Sequence, residues 1–434
     1  MDLPTIGAIG LLAMFLLIIF GVPVAFSMGA VAVVGLLIVS GVSVTLTQTV
    51  LVAWQIGTDF IIICIPLFIL MGQLVFHTGI AAELYDCVRK WIGHLPGGLA
   101  IAAVVACGGF GAVTGSSVAS VATMGSIIYP ELVKYGYQKR LSTGTLAASG
   151  TLAILIPPSL PMAFYGILTD TSIAALFIAG IIPGIILVCF YSLGILGRCI
   201  IHPQVGPAGP KFPWRERIIS LKQTWPVFAL FVLVVGGIYG GFFTPTEAAG
   251  MGAFGVFIIG LIMRKMTWEK LKSALHDTSL ISAMIYAIII GGYLISRFLA
   301  VTGLSQIMVD YAVSLQLSKI VFILFIIVIY LILGCLLDVF GIMILTIPFF
   351  FPMVISYGID PVWFGILTVM MCEVGLLTPP VGLNVFVMHG IAPEVPMRDI
   401  FASIISFTVF DMTLVGLIIA YPDIALWLTR TMGN

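Results

Sequence analysis

The sequence predicts an all-α polytopic membrane protein of two inverted-topology repeats, with about ten transmembrane helices and two re-entrant helical hairpins. Composition, a long-range internal match and the placement of basic residues carry that prediction. Apolar residues make up 61% of the chain and charged residues 8%, against about 45–50% and roughly 25% in soluble domains. Several uncharged stretches are long enough to cross a bilayer, and the short alternating strands of an outer-membrane barrel are absent. No Lys or Arg precedes Arg89, so a cleaved signal peptide is not expected. The seven cysteines are scattered through apolar segments without a CxxC pair and read as packing residues.

The internal match appears when the chain is shifted by 222 residues. Pro157-Pro158 then falls on Pro379-Pro380, Tyr129-Pro130 on Phe351-Pro352, Tyr135-Gly136 on Tyr357-Gly358 and Pro23 on Pro245. This divides the chain into repeat one (1–200), a polar linker (201–222) and repeat two (223–434). Basic residues in short loops favour the cytoplasm. Placing both termini in the periplasm puts fifteen of the eighteen Lys and Arg inside, with Lys319 and Arg430 outside and Arg297 within a span. Matching loops then fall on opposite faces, which inverts one repeat relative to the other.

Two kinds of interruption follow. Segments of about forty residues, 95–133 and 320–359, begin and end on one face and carry glycine and polar residues at their midpoints. They read as hairpins, the first opening inward and the second outward. The uncharged run 141–169 and the run 361–388, whose one charged residue is Glu373, carry paired prolines mid-span, each costing about 3 kcal/mol in a helix interior. In lipid such a break survives only where protein buries it or water lines it. One break alone reads as a packing kink; two at matching positions, each beside a polar hairpin midpoint, point to a binding site. Freed carbonyls there can replace a sodium ion's hydration shell, and half-helix N-termini present N–H groups to an anion.

The candidate residues are therefore Thr114, Ser116, Ser117, Asp338 and Gly341 on the hairpins, and Pro157, Pro158, Ser159, Thr378, Pro379, Pro380, Gly382 and Asn384 at the breaks. Asp338, a carboxylate at hairpin-tip depth, is read as an ion ligand, with a turn cap as the bland alternative. Arg297 is either a snorkelling side chain or a substrate contact. Glu373 either relays a proton or pairs with Arg297, and Asp411 has no identifiable partner. Thr244, Pro245 and Glu247 have the spacing of a capping box, and Gly111 and Gly115 that of close helix packing. Serine-hydrolase, zinc and Walker signatures are missing, so neither an enzyme nor an ATPase is expected. Nor is an organic cofactor or a nucleic-acid partner.

The blocks "FGVPVAFSMGA" (20–30), "GGFGAVTGSSVASVATMGSIIYPEL" (108–132), "ILIPPS" (154–159), "GGFFTPTEAAG" (240–250) and "LLTPPVGLN" (376–384) resemble the large membrane subunit of tripartite ATP-independent periplasmic (TRAP) transporters, in order and across the chain. The resemblance implies an elevator-type ion-transporter fold in the bacterial inner membrane. It implies sodium-driven uptake of a carboxylate such as a C4-dicarboxylate or sialic acid, delivered by a periplasmic substrate-binding protein. A small four-helix membrane subunit (DctQ-like) is the further implied partner. Carried over, one sodium site uses Thr114, Ser116 and Ser117 with Pro157–Ser159, and the other uses Asp338 and Gly341 with Thr378–Gly382. The carboxylate lies between the tips near Ser117, Ser159, Gly341 and Asn384, with Arg297 as a further contact. A standalone anion symporter or exchanger and an ion channel are the alternatives.

Overall fold

Long apolar runs satisfy their own backbone groups only as helices, and the computed structural model is helical throughout, without a strand among the described residues. Residues 2–314, 318–335, 337–380 and 382–431 are described. The first half runs α1 (Leu3–Ile19), α2 (Val24–Thr58), α3 (Cys64–Thr78), α4 (Ile80–Ile92), the hairpin α5 (Gly98–Thr114) and α6 (Ser117–Lys134), the interrupted pair α7 (Lys139–Leu155) and α8 (Leu160–Thr169), then α9 (Ile173–Ile201). The linker carries α10 (Trp214–Gln223). The second half runs α11 (Trp225–Phe231), a π turn, α12 (Gly237–Tyr239), α13 (Pro245–Ile262), α14 (Trp268–Val301) and α15 (Leu304–Ser314). It continues through the hairpin α16 (Lys319–Gly334) and α17 (Val339–Ser356), the interrupted pair α18 (Pro361–Leu377) and α19 (Leu383–Ile391), α20 (Met397–Ala420) and α21 (Asp423–Arg430).

Among these, six single helices are long and apolar enough to cross a membrane, and up to nine when each bent pair counts as one. The pair α7 and α8 is bent by 41° at its break. The polar linker is helical in part. Its "WRERIISLKQ" forms α10, whose Arg217 carbonyl accepts a hydrogen bond from Trp91 of α4 at 3.2 Å.

The elements pair off at the offset seen in the sequence. Every residue from Leu141 to Leu155 in α7 is buried, and so is every residue from Trp363 to Leu377 in α18. These two spans are the centre of the molecule. Each hairpin leans on its neighbouring interrupted helix through residues too small to hold the backbones apart. A Cβ on Gly111 would stand 2.4 Å from the Ala153 Cα, and one on Gly334 would stand 2.5 Å from the Gly375 Cα. Gly111 therefore serves close packing, as its spacing suggested.

Polar contacts collect in two layers. One joins Lys265 to Glu83, Arg89 to Glu131, Lys139 to Glu394 at 3.3 Å and His77 to Asp277 at 3.3 Å. The Tyr129 hydroxyl donates to Glu394 at 2.6 Å and holds that carboxyl below its ordinary pKa. The other layer holds the Lys319 contact with the Gly358 carbonyl, the Tyr165 hydroxyl on the Pro361 carbonyl and Arg297 on Gln48. The capping box at Thr244 and Glu247 forms as expected, both of its hydrogen bonds being made.

Gly334→Leu tests the close approach of hairpin and interrupted helix. The added side chain has only backbone to displace, and we expect a loss of about 1–3 kcal/mol in thermal unfolding. Gly197→Leu, with open space at its Cβ position, should leave the melting temperature unchanged.

Candidate functional site

The first hairpin turns at Gly115, in the left-handed region at φ 61°, where glycine is tolerated without a Cβ clash. Ser116 then caps α6, its Oγ accepting from the Ala119 N–H at 3.4 Å. The Thr114 and Ser120 hydroxyls sit 3.2 Å apart behind the turn. This tip reaches the first break directly, for the Leu160 N–H donates to the Gly115 carbonyl at 3.4 Å. A Cβ on Gly115 would stand 2.7 Å from the Pro158 carbonyl. Pro157, Pro158 and Ser159 are all buried, and the Ser159 hydroxyl donates back to the Ile154 carbonyl, one of those freed by the break. Ser159 also caps α8, accepting from the Met162 N–H at 3.3 Å.

The second hairpin repeats this with a carboxylate. Asp338 caps α17, its Oδ1 accepting from the Gly341 N–H at 3.3 Å. The bland reading of Asp338 is thus present, yet the same residue borders two cavities, so its outer side remains open to a ligand. The second break runs from Thr378, whose hydroxyl donates to the Gly375 carbonyl at 3.2 Å and lies 3.8 Å from the Cys335 sulfur, to Gly382 at φ 58°. Both proline pairs have a cis peptide bond. The breaks differ in setting, because Pro379 and Pro380 are exposed where Pro157 and Pro158 are buried. Thr378 and Pro379 flank a groove of about 650 Å³ along α20.

Asn384 ties the halves together. Fully buried in the first turn of α19, it donates through Nδ2 to the Ser117 Oγ at 2.7 Å and to the Ala147 carbonyl of α7 at 3.2 Å. Its Oδ1 is buried with no hydrogen-bond partner. An acceptor left bare at this depth is costly and marks a place for a donor or a cation.

A cavity of about 460 Å³ opens where these parts meet. Gly115, Ser116 and Ser117 of the first tip line it beside Leu160 and Pro161, and Asp338 and Phe340 of the second tip beside Leu376 and Leu383. Ile281 and Ile285 of α14 close its wall. A second cavity of about 260 Å³ holds Asp338 with Gly382 and the α1–α2 turn at Gly21 and Pro23. The apolar wall from α14 was invisible to sequence reasoning, since nothing local distinguishes those isoleucines from lipid-facing ones.

Three expectations need correction. Arg297 is exposed, bonds Gln48 and lies twelve residues, roughly 18 Å of helix, beyond Ile285, so it does not reach the cavity. Glu373 therefore does not pair with Arg297, and is buried inside the bundle. Asp411 does have a partner, accepting from the Tyr191 hydroxyl at 2.6 Å. Among the described residues no three His, Cys, Asp or Glu gather as a metal cluster.

Interrupted membrane helices meeting around a cavity deep in a bundle define the class of secondary transport permeases. The chain belongs to the family "Tripartite ATP-independent periplasmic transporter, DctM component", which it matches over residues 11–424. It is a large permease subunit of that multi-pass membrane family and not an enzyme. The "C4-dicarboxylate TRAP transporter large permease protein DctM" of Rhodobacter capsulatus is 33% identical over 440 residues, which cover 96% of this chain and 97% of that protein. The "Isethionate TRAP transporter permease protein DctMQ" of Oleidesulfovibrio alaskensis is 32% identical, covering 88% of this chain and 60% of that longer protein. In fold, the chain is similar to the Alcanivorax borkumensis YdaH transporter, with a TM-score of 0.60 at 14% identity, covering 91% of this chain and 90% of that one.

Asn384→Ala removes the bridge between the two halves of the site. The Ser117 hydroxyl and the Ala147 carbonyl lose their buried donor, and thermal unfolding should show a loss of about 1–3 kcal/mol. Asn384→Asp, which keeps the shape but not the donor, should lose a similar amount.

Proposed function

We propose that this permease imports an organic acid by sodium-coupled, elevator-type alternating access, with substrate delivered by a periplasmic binding protein. The observation that carries the reading is one cavity lined by both hairpin tips, at Ser116, Ser117 and Asp338, and by the helix ends flanking both breaks, at Leu160, Pro161, Leu376 and Leu383. Helix N-termini that face it, those of α6, α8, α17 and α19, favour a carboxylate. Sodium suits oxygen donors alone. Asp338 supplies charge, while Thr114, Ser116, Ser117, Thr378 and the freed carbonyls near Pro157–Pro158 and Pro379–Gly382 supply neutral oxygens. The bare Asn384 Oδ1 fits the same preference. A sodium ion offsets the charge of the imported anion and completes a site that is otherwise anion against carboxylate.

The architecture supporting this is ten crossings plus two hairpins in two inverted repeats. The crossings are α1, α2, α3, α7 with α8, α9, α11 with α12, α13, α14, α18 with α19, and α20. The matching burial of α7 and α18 supports the repeats. Orientation with both termini in the periplasm of an inner-membrane protein is supported by the two polar layers. Lys265, Arg89 and Lys139 make their ion pairs in one layer, and Lys319 and Arg297 make their contacts in the other. Gly21–Val24 and Ile281–Ile285, which border the two cavities, then lie toward the cytoplasm, which supports reading the chain as inward-facing. A small four-helix subunit as partner is supported by the longer DctMQ relative, of which this chain covers 60%.

Asp338→Asn separates charge from capping, since Asn caps a helix as well as Asp. Folding should be unchanged while the sodium dependence of uptake is lost or weakened at least about tenfold; an unchanged sodium requirement removes Asp338 from the site. Ser116→Ala should act in the same direction. For the function itself, proteoliposomes holding the permease and its small subunit are loaded by a sodium gradient with a panel of radiolabelled organic acids. Uptake that needs both sodium and a periplasmic extract is expected. Saturable uptake without the extract indicates a standalone symporter, and unsaturable current indicates a channel.

A further inference from the structure

The linker helix α10 carries an apolar stripe on its exposed side. Trp214, Ile218 and Leu221 recur every three or four residues and are 67%, 52% and 42% exposed. The stripe continues into the membrane span. α10 meets α11 at a bend of 48°, beyond which Trp225, Phe228 and Val232 prolong the same face at 43%, 59% and 65% exposure. Two cations stand beside it, Arg215 and Lys222, both exposed and without an ion-pair partner among the described residues. We propose that α10 lies in the headgroup layer of the bilayer and binds an anionic phospholipid, acyl chains along the stripe and phosphate against Arg215 and Lys222.

The helix has three distinct faces. At 3.6 residues per turn, Arg215 and Lys222 fall within about 20° of each other and about a quarter turn from the centre of the stripe. Glu216 and Gln223 point to the side away from it. The third face is buried against α4, where the Trp91 indole donates to the Arg217 carbonyl at 3.2 Å and the Ser220 hydroxyl lies 3.5 Å from the Cys87 sulfur. The Arg217 guanidinium covers the Trp214 ring from this inner side, 5.2 Å from its centroid, and leaves the outer side of the indole open. Protein therefore holds one face of α10 and leaves the striped one bare.

Continuity and charge identify the occupant. Phe228 and Val232 belong to a span whose exposed side meets acyl chains, and the same stripe runs from them to Trp214. From Arg198 to Gln223 the linker holds five Lys and Arg against the single acid Glu216. Tryptophan and leucine beside lysine and arginine is the pattern of a helix seated at the bilayer interface, and clustered cations next to a span attract anionic headgroups. A lipid on α10 would also bear on the first hairpin. Arg89 of α4 pairs with Glu131 of α6. Upstream of α10, the Gly206 and Val205 carbonyls accept from the Gly97 and Gln138 N–H groups at 2.9 and 3.0 Å, at the base of that hairpin.

The test needs no transported solute and no assigned orientation, so it stands apart from the transport reading. The full chain is placed in nanodiscs of phosphatidylcholine and phosphatidylglycerol, with bromine on the acyl chains of one lipid or the other. Subtracting the fluorescence of Trp214→Phe isolates the Trp214 emission, which bromine quenches on contact. At equal mole fraction, brominated phosphatidylglycerol should quench it at least about threefold more than brominated phosphatidylcholine. Arg215→Gln/Lys222→Gln, on the exposed surface, should abolish that preference while quenching by phosphatidylcholine stays. High salt should weaken the preference in the wild type in the same way. Absence of quenching by either lipid, equal quenching by both, or a preference that survives the double variant would each overturn the proposal. So would loss of quenching when the small membrane subunit is added, since a protein would then cover the stripe.

Discussion

A peptide group without a partner inside a bilayer has no water to turn to, and the architecture of this chain follows from where it places such groups. Two buried helices stop mid-span, at Ile156 and at Thr378, and each restarts four or five residues later. At the first break protein supplies partners at once. The Leu160 N–H reaches the Gly115 carbonyl, and the Ser159 hydroxyl returns to the Ile154 carbonyl. Hairpin and break are therefore one unit, neither tolerable at that depth without the other.

The second unit is looser, and the difference bears on function. Its prolines are exposed, its tip is an aspartate in place of a serine, and its break borders both a small cavity and a groove on α20. Asp338 keeps one side on the two cavities, where the Gly115 carbonyl is met by the Leu160 N–H. Asn384 links the two units by donating into the first from α19, the helix that follows the second break.

Small residues make this geometry reachable. Gly111 on Ala153 and Gly334 on Gly375 let hairpins approach interrupted helices to backbone contact, where dispersion and weak polar contacts do the work that water-driven burial does in soluble proteins. Around that core, α2 and α14 pack along each other and keep much of their surface exposed, as expected of elements meeting lipid.

Helix, hairpin and break were written in the sequence because each has a local chemical cause: uncharged length, glycine with serine or aspartate at a turn, paired proline. So were the caps at Asp338 and Thr244, whose hydrogen bonds span three residues. Partners distant in the chain were not. That Arg297 serves Gln48, that Tyr191 serves Asp411, and that Ile281 and Ile285 wall the cavity depend on how helices rotate and cross. A helix face in lipid and a helix face against protein are equally apolar, so hydropathy does not tell them apart. Only packing decided which side chains share the interior.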